Sequence, residues 1–320
     1  MTTQRSGGPA HSKQEHRRLI RHRMWNMRAL YAMIFVGVVY FVVFRYATMY
    51  GVLIAFKNFK ARQGIWGSQW VGLKNFAAVF GGPDVARVFK NTIEISLMKL
   101  LTGFPAPIIL AILLNEIYHT RFKKTVSSVL YMPHFLSWTV FGGILFSIFS
   151  STTGSIPRFV LNTFGIQMPS LITDPAYART FLYVSNIWKE VGWSTIIYTA
   201  AIAGIDQQLY ESAIIDGANH FQEIWHITIP CISVTIATLL VLDVGNIMSA
   251  GFDQIFNLHT NINAAKSTVE ILDTYVYEVG VKNGKFSYSA VVGITKSAIN
   301  AVLLIIANAA AGKLTGESPL

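Results

Sequence analysis

Six long apolar segments alternate with polar connections along the chain, and that alternation is its dominant pattern. The first runs over about 29–55 and is interrupted by Arg45. The second and third cover about 92–115 and 127–149, the fourth about 178–204, the fifth about 231–251 and the sixth about 287–311. An apolar run of about 20 residues crosses a bilayer as a helix. The pattern therefore predicts an all-α integral membrane protein with six transmembrane helices and both termini on one side. Between the fourth and fifth segments lies a polar, glycine-broken stretch, 205–230, IDQQLYESAIIDGANHFQEIWHITIP.

Local rules shape that stretch. Asp206 is a good N-cap for a helix over 207–216, with Leu209 and Ala213 four apart on one face. Gly217 breaks the helix, since glycine takes the left-handed cap freely. Asn219 followed by Gln222 has the spacing of a capping box for a second short helix, which Pro230 is expected to end.

Composition sharpens the class. The 320 residues are 52% hydrophobic and 13% charged, with mean hydropathy +0.44, whereas soluble domains carry roughly 25% charged residues. The net charge of +10 does not mark a nucleic-acid partner. Arg5, Lys13, Arg17, Arg18, Arg21, Arg23 and Arg28 all precede the first apolar segment, as expected of a cytoplasmic N-terminus, and that segment is too long for a cleavable signal. Arg121, Lys123 and Lys124 fit the same side, but 57–91 also carries six basic residues, so charge alone leaves the orientation open. A single cysteine, Cys231, excludes an internal disulfide or a cysteine metal cluster. No metal site is expected, and His220 and His226 read as polar surface positions.

The sequence of 205–230 resembles the coupling loop of binding-protein-dependent ABC importers, whose pattern is Glu-Ala-Ala, three residues, Gly, nine residues, Ile-x-Leu-Pro. Here Glu211, Ser212 and Ala213 are followed at that spacing by Gly217 and then Ile227, Ile229 and Pro230. Ser212 replaces an alanine and Ile229 a leucine. NIMSAGFDQIFN (246–257), EILDTYVY (270–277), GKFSYSAVVGITK (284–296), MYGVLIAFKNF (49–59) and GLKNF (72–76) resemble the oligosaccharide-permease branch of the maltose-type importers. The resemblance covers most of 30–318.

It implies a permease domain over 29–312 between a basic cytoplasmic tail, 1–28, and a cytoplasmic tail, 313–320, in a bacterial inner membrane. It implies a second, similar permease subunit in a heterodimer, two nucleotide-binding ATPase subunits and an extracytoplasmic binding protein. Glu211, Ser212, Ala213, Asp216, Gly217, Ile227 and Pro230 would engage the ATPase. The chain carries no G-x-x-x-x-G-K-[ST] loop, so no cofactor is expected on it, ATP and Mg being held by the partners, and it is not an enzyme. An oligosaccharide would pass by alternating access. The alternative, an ion-coupled secondary transporter using Asp243, Glu190 or Glu94, calls for an inverted repeat that the sequence lacks.

Charges inside apolar segments face a cavity or a partner. Arg45, Glu94, Lys99, Lys189, Glu190, Asp243 and Lys296 are such residues. Lys99, Lys189 and Lys296 would suit an acidic, uronate-rich oligosaccharide; equally, they can snorkel or pair with the three carboxylates. Trp138, Trp188, Trp193, Asn186, Asp243 and Asn246 offer the ring faces and polar groups that sugars need, and each also suits helix packing or a membrane interface.

Overall fold

The structure is a computed structural model that describes residues 25–259 and 263–315. Residues 1–24 and 316–320, which hold most of the two predicted tails, lie outside the described residues. The chain forms two compact units, 1–54 and 55–320.

The first unit is helical. Helix α1, Arg28–Phe41, runs into a π-helical turn, Val42–Tyr46, and on into 3₁₀ geometry over Ala47–Phe56. The π-helical turn contains Arg45, where the sequence interrupts its apolar run. None of the α1 side chains is buried. The helical stretch Arg28–Phe56 has 29 residues and mean hydropathy 1.9. It reaches about 43 Å, more than the hydrocarbon core.

The second unit begins with a small antiparallel hairpin, β1 (Lys57–Asn58) and β2 (Gln69–Trp70), with Lys57 opposite Trp70. The helices α2 (Lys74–Phe80), α3 (Pro83–Gly103), α4 (Pro105–Asn115) and α5 (Thr120–Tyr131) follow. Next come α6 (Trp138–Phe149), α7 (Ser155–Phe164), α8 (Pro175–Ala203), α9 (Gln207–Ile215) and α10 (His220–Glu223). The chain continues with α11 (Ser233–Gly245), α12 (Phe252–His259), α13 (Asn263–Val269), α14 (Leu272–Val276) and α15 (Phe286–Thr315). Several starts are written locally: Pro83 and Pro175 open α3 and α8, and Asp174 caps α8 by accepting from the Ala176 amide at 2.9 Å.

Helix α8 packs along α3 and α4, and α11 packs along α15. One core gathers Ile95, Phe141, Leu145, Leu182, Ile255 and Leu258. A second holds Val79, Val88, Leu272 and Val292, and a third, towards loop 205–230, holds Ala111, Tyr198, Ile202 and Ile232.

Among the described residues three helices are long and apolar enough to cross a membrane, Arg28–Phe56, Pro83–Asn115 and Phe286–Lys313, or up to five if each of two bent pairs is one span. The predicted third span, 127–149, is one such pair: helix breaks at Leu136 and resumes at α6 with a 104° bend. Ser137 restarts it, its hydroxyl accepting from the Val140 amide at 3.3 Å. The other pair, His220–Cys231 and Ser233–Gly245, is bent by 61° at Ile232; its second helix, α11, lies in the predicted fifth span, and its first lies in loop 205–230. The predicted fourth span is α8, which has 29 residues but places Lys189 and Glu190 at its centre and so falls short in apolarity.

Candidate functional site

Loop 205–230 is built by its caps. The Asp206 carboxylate accepts from the Gln208 amide at 3.0 Å and starts α9. Gly217, at φ +81°, ends it: the Ala218 amide donates to Ala213 O at 2.9 Å and the Gly217 amide to Ile214 O at 3.1 Å. That bond pair is the Schellman closure. Asn219 and Gln222 form the reciprocal capping box, at 2.8 and 3.0 Å.

Pro230 does not end the second helix. Helical geometry continues to Cys231, because the π-helical turn Ile224–Thr228 widens the backbone just before the proline. Ile227 packs into the core beneath the loop, and Tyr210 and Thr228 are bonded at 2.8 Å, tying α9 to the second helix. Glu211, Ser212, Asp216 and Gly217 are exposed, as is Pro230, while Ala213 is half-buried. Ile215 is 85% exposed and Phe221 72%, and the Phe221 and Trp225 rings stack at 6.3 Å. A short rigid element thus presents apolar side chains outward, which an isolated surface loop has no reason to do.

Sequence-predicted pathway residues divide into two groups. Lys99, Asn186, Asp243 and Asn246 line one cavity of about 330 Å³ between α3, α4, α8 and the end of α11. Ser194, Tyr198 and Glu190 share its wall. The others lie elsewhere. Lys189 is buried, donating to His134 O at 3.0 Å and Glu190 Oε1 at 3.1 Å, with its ammonium 5.3 Å from the Trp138 ring. Glu190 Oε2 sits 2.6 Å from His134 Nδ1, and that imidazole stacks on Trp193. Trp188 lies edge-on to Phe141 beside a separate apolar cavity of about 200 Å³. Lys296 is closed by Asp273, at 2.6 and 2.8 Å.

Sequence reasoning did not find the polar cluster that joins the start of α3 and of α8 to segment 263–278. Arg179 donates to Glu94 at 2.7 Å, to Asn91 at 2.7 Å and to Thr268 O at 2.9 Å. Arg87 donates to Glu270 at 2.8 Å. Partial burial pulls the Lys266 ammonium down, but its bond to Glu278, with Glu270 close by, holds it above the ordinary lysine value. Arg179 and Glu94 are 85 residues apart, and no local spacing announces the pair.

A sequence profile of binding-protein-dependent transport system inner membrane components matches residues 96–315, a range that includes the whole of loop 205–230 and both halves of the cavity wall. The chain belongs to that family. It is a permease component of ABC importers, resident in the inner membrane, and ATP hydrolysis lies on separate subunits. Protein LplB of Bacillus subtilis is 41% identical over 90% of each chain. The polygalacturonan/rhamnogalacturonan transport system permease protein YteP of the same organism is 39% identical over 95% of this chain and 94% of its own. Among solved structures, a bacterial alginate ABC transporter in complex with an alginate pentasaccharide-bound periplasmic protein aligns with TM-score 0.84 and 33% identity, over 93% of this chain and 98% of that one.

Proposed function

We propose that the chain is one half of the translocation pathway of an ATP-driven importer that carries an acidic oligosaccharide into the cytoplasm. The observation that carries the energy-coupling part is loop 205–230, a capped, glycine-hinged pair of helices with Ile215, Phe221 and Trp225 turned outward. Glu211, Ser212 and Ala213 form the contact edge for an ATPase subunit, with Asp216 and Gly217 at the hinge. Ile227 anchors the loop to the core, and Pro230 leads the chain towards α11. Two ATPase subunits, a second and different permease subunit and an extracytoplasmic binding protein complete the machine. The loop and both termini face the cytoplasm. ATP binding draws the loops together and opens the cavity outward; hydrolysis reverses the movement.

The substrate class rests on two kinds of support. The cavity joins an ammonium, an amide and a carboxylate, Lys99, Asn186 and Asp243, in a mostly apolar wall, the composition that sugar recognition needs. The similar permease YteP is named for polygalacturonan and rhamnogalacturonan, and the similar solved transporter for the acidic polysaccharide alginate. Uptake of labelled oligosaccharide in cells lacking the native gene tests the reading. Gly217→Pro and Glu211→Ala are each expected to abolish uptake while the chain still inserts and is recovered from membranes. Normal uptake by both would overturn it.

A further inference from the structure

We propose that Lys99 receives a carboxylate of the passing oligosaccharide, and that Gln254 is the positioning residue that holds its ammonium for the purpose. The inference rests on the import reading above and names the residue that reads substrate charge.

The membrane-embedded cations of this unit are otherwise held by carboxylates: Lys189 by Glu190, Lys296 by Asp273, Arg179 by Glu94. Lys99 differs. Its ammonium donates to two neutral oxygens, Ala250 O at 2.7 Å and Gln254 Oε1 at 2.5 Å, and among the described residues it has no carboxylate within ion-pair distance. An ammonium has three N–H donors, so these two bonds fix its place and leave one donor for a partner at the cavity wall.

The holder is itself built. Gln254 is 1% exposed, and its amide nitrogen donates to Leu182 O at 2.8 Å and Ser185 Oγ at 2.9 Å. With its donor end so committed, the amide can only turn its oxygen to Lys99. Space for the ammonium is kept by Gly251, at φ +94°, where an added Cβ would stand 2.8 Å from Lys99 Nζ. Such an arrangement leaves the amine without a carboxylate partner in an apolar setting, where a lone ion is costly. A visiting carboxylate supplies the missing partner. Glu190 shares the cavity wall, but its two oxygens are bonded to Lys189 and His134 and it makes no ion pair with Lys99 among the described residues. Asp243, at another part of the wall, offers acceptors to sugar hydroxyls.

The whole transporter, purified with its ATPase and binding-protein partners and reconstituted in vesicles, provides the test. Its substrates are trimers of galacturonate, mannuronate and guluronate, and the methyl esters of each, which keep the shape and remove the charge. The wild type is expected to prefer a free acid over its ester. Lys99→Gln should lower that preference about tenfold or more, the loss of a charge-assisted bond. Gln254→Glu, nearly isosteric, sets a carboxylate against the ammonium and should lower it likewise; Lys99→Arg should retain much of it. If Lys99→Gln fails to assemble, Gln254→Glu alone decides. An unchanged acid-to-ester ratio in the assembled variants overturns the role of Lys99 and leaves the import reading standing; a wild type that prefers the esters overturns the role of Lys99 and the acidic substrate together. A wild type that imports no trimer of either kind ends both.

Discussion

Gly192 shows how closely two elements of this fold approach. It lies on α8 against the end of α5, and a Cβ there would stand 2.1 Å from Leu130 O and 2.5 Å from Leu130 C. Both are backbone atoms, which cannot swing aside as a side chain does. Gly192→Ala must therefore push the helices apart, and overpacking of this kind costs about 1–3 kcal/mol. The expected result is a lower thermal midpoint of the detergent-solubilised complex; an unchanged midpoint would mean that the two backbones have slack here. The pair Lys296 and Asp273 makes a second case. Removing one partner leaves an uncompensated, mostly buried charge, whereas removing both leaves none. Lys296→Met and Asp273→Asn should each reduce recovery of folded complex, and the double variant should recover part of the loss, a coupling that a mutant cycle measures. Sequence marks Lys296 as a charge in an apolar run but cannot supply Asp273, which lies 23 residues away on another helix. Gln254 is less visible still, since nothing near it in the chain hints at Lys99, 155 residues distant.

Loop 205–230 was legible because its determinants are local. Asp206, Gly217, Asn219 and Gln222 act on amides one to three residues away, and each bond forms where spacing puts it. The breaks in the spans were not legible for a related reason. Hydropathy reads an apolar run as continuous across Leu136, although Ser137 restarts the helix there, and it gives no sign that the helix entering from loop 205–230 bends by 61° at Ile232. Proline also misled: its cost to a helix is met upstream by the π-helical turn Ile224–Thr228, so helical geometry runs past Pro230 to Cys231. The cap predicts its own test. Asn219→Ala removes the side-chain oxygen that accepts from the Gln222 amide, leaving the backbone amide of 219 still able to donate to Gln222 Oε1, and should destabilise the second helix by about 1 kcal/mol. Hydrogen exchange should then quicken over 219–228, and uptake should fall without loss of inserted chain. Uptake at the wild-type level with faster exchange would show that transmission does not need a stiff second helix.

For the molecule entire, the deciding matter is where the energy enters. As a binding-protein-dependent permease component, the chain has no phosphate-binding loop of its own, and in the import reading proposed above its cavity would supply one wall of a pathway. Charged residues in the membrane are mostly closed on one another, as Glu190 on Lys189 and Asp273 on Lys296. A proton- or sodium-driven carrier needs the opposite: carboxylates left open to bind and release the coupling ion in each cycle. Asp243 is the carboxylate in the cavity without an ion-pair partner among the described residues, so it gives the sharpest contrast. Vesicles holding the assembled transporter, with proton and sodium gradients collapsed by ionophores and ATP supplied to the ATPase face, should import at close to the full rate. With the gradients restored and ATP replaced by a non-hydrolysable analogue, import should stop after at most one turnover. Asp243→Asn, which keeps the hydroxyl-binding oxygen and loses the charge, should leave that dependence on ATP intact whatever it does to affinity. Import sustained by a gradient without ATP, and lost in Asp243→Asn, would place the coupling in the cavity instead of in loop 205–230.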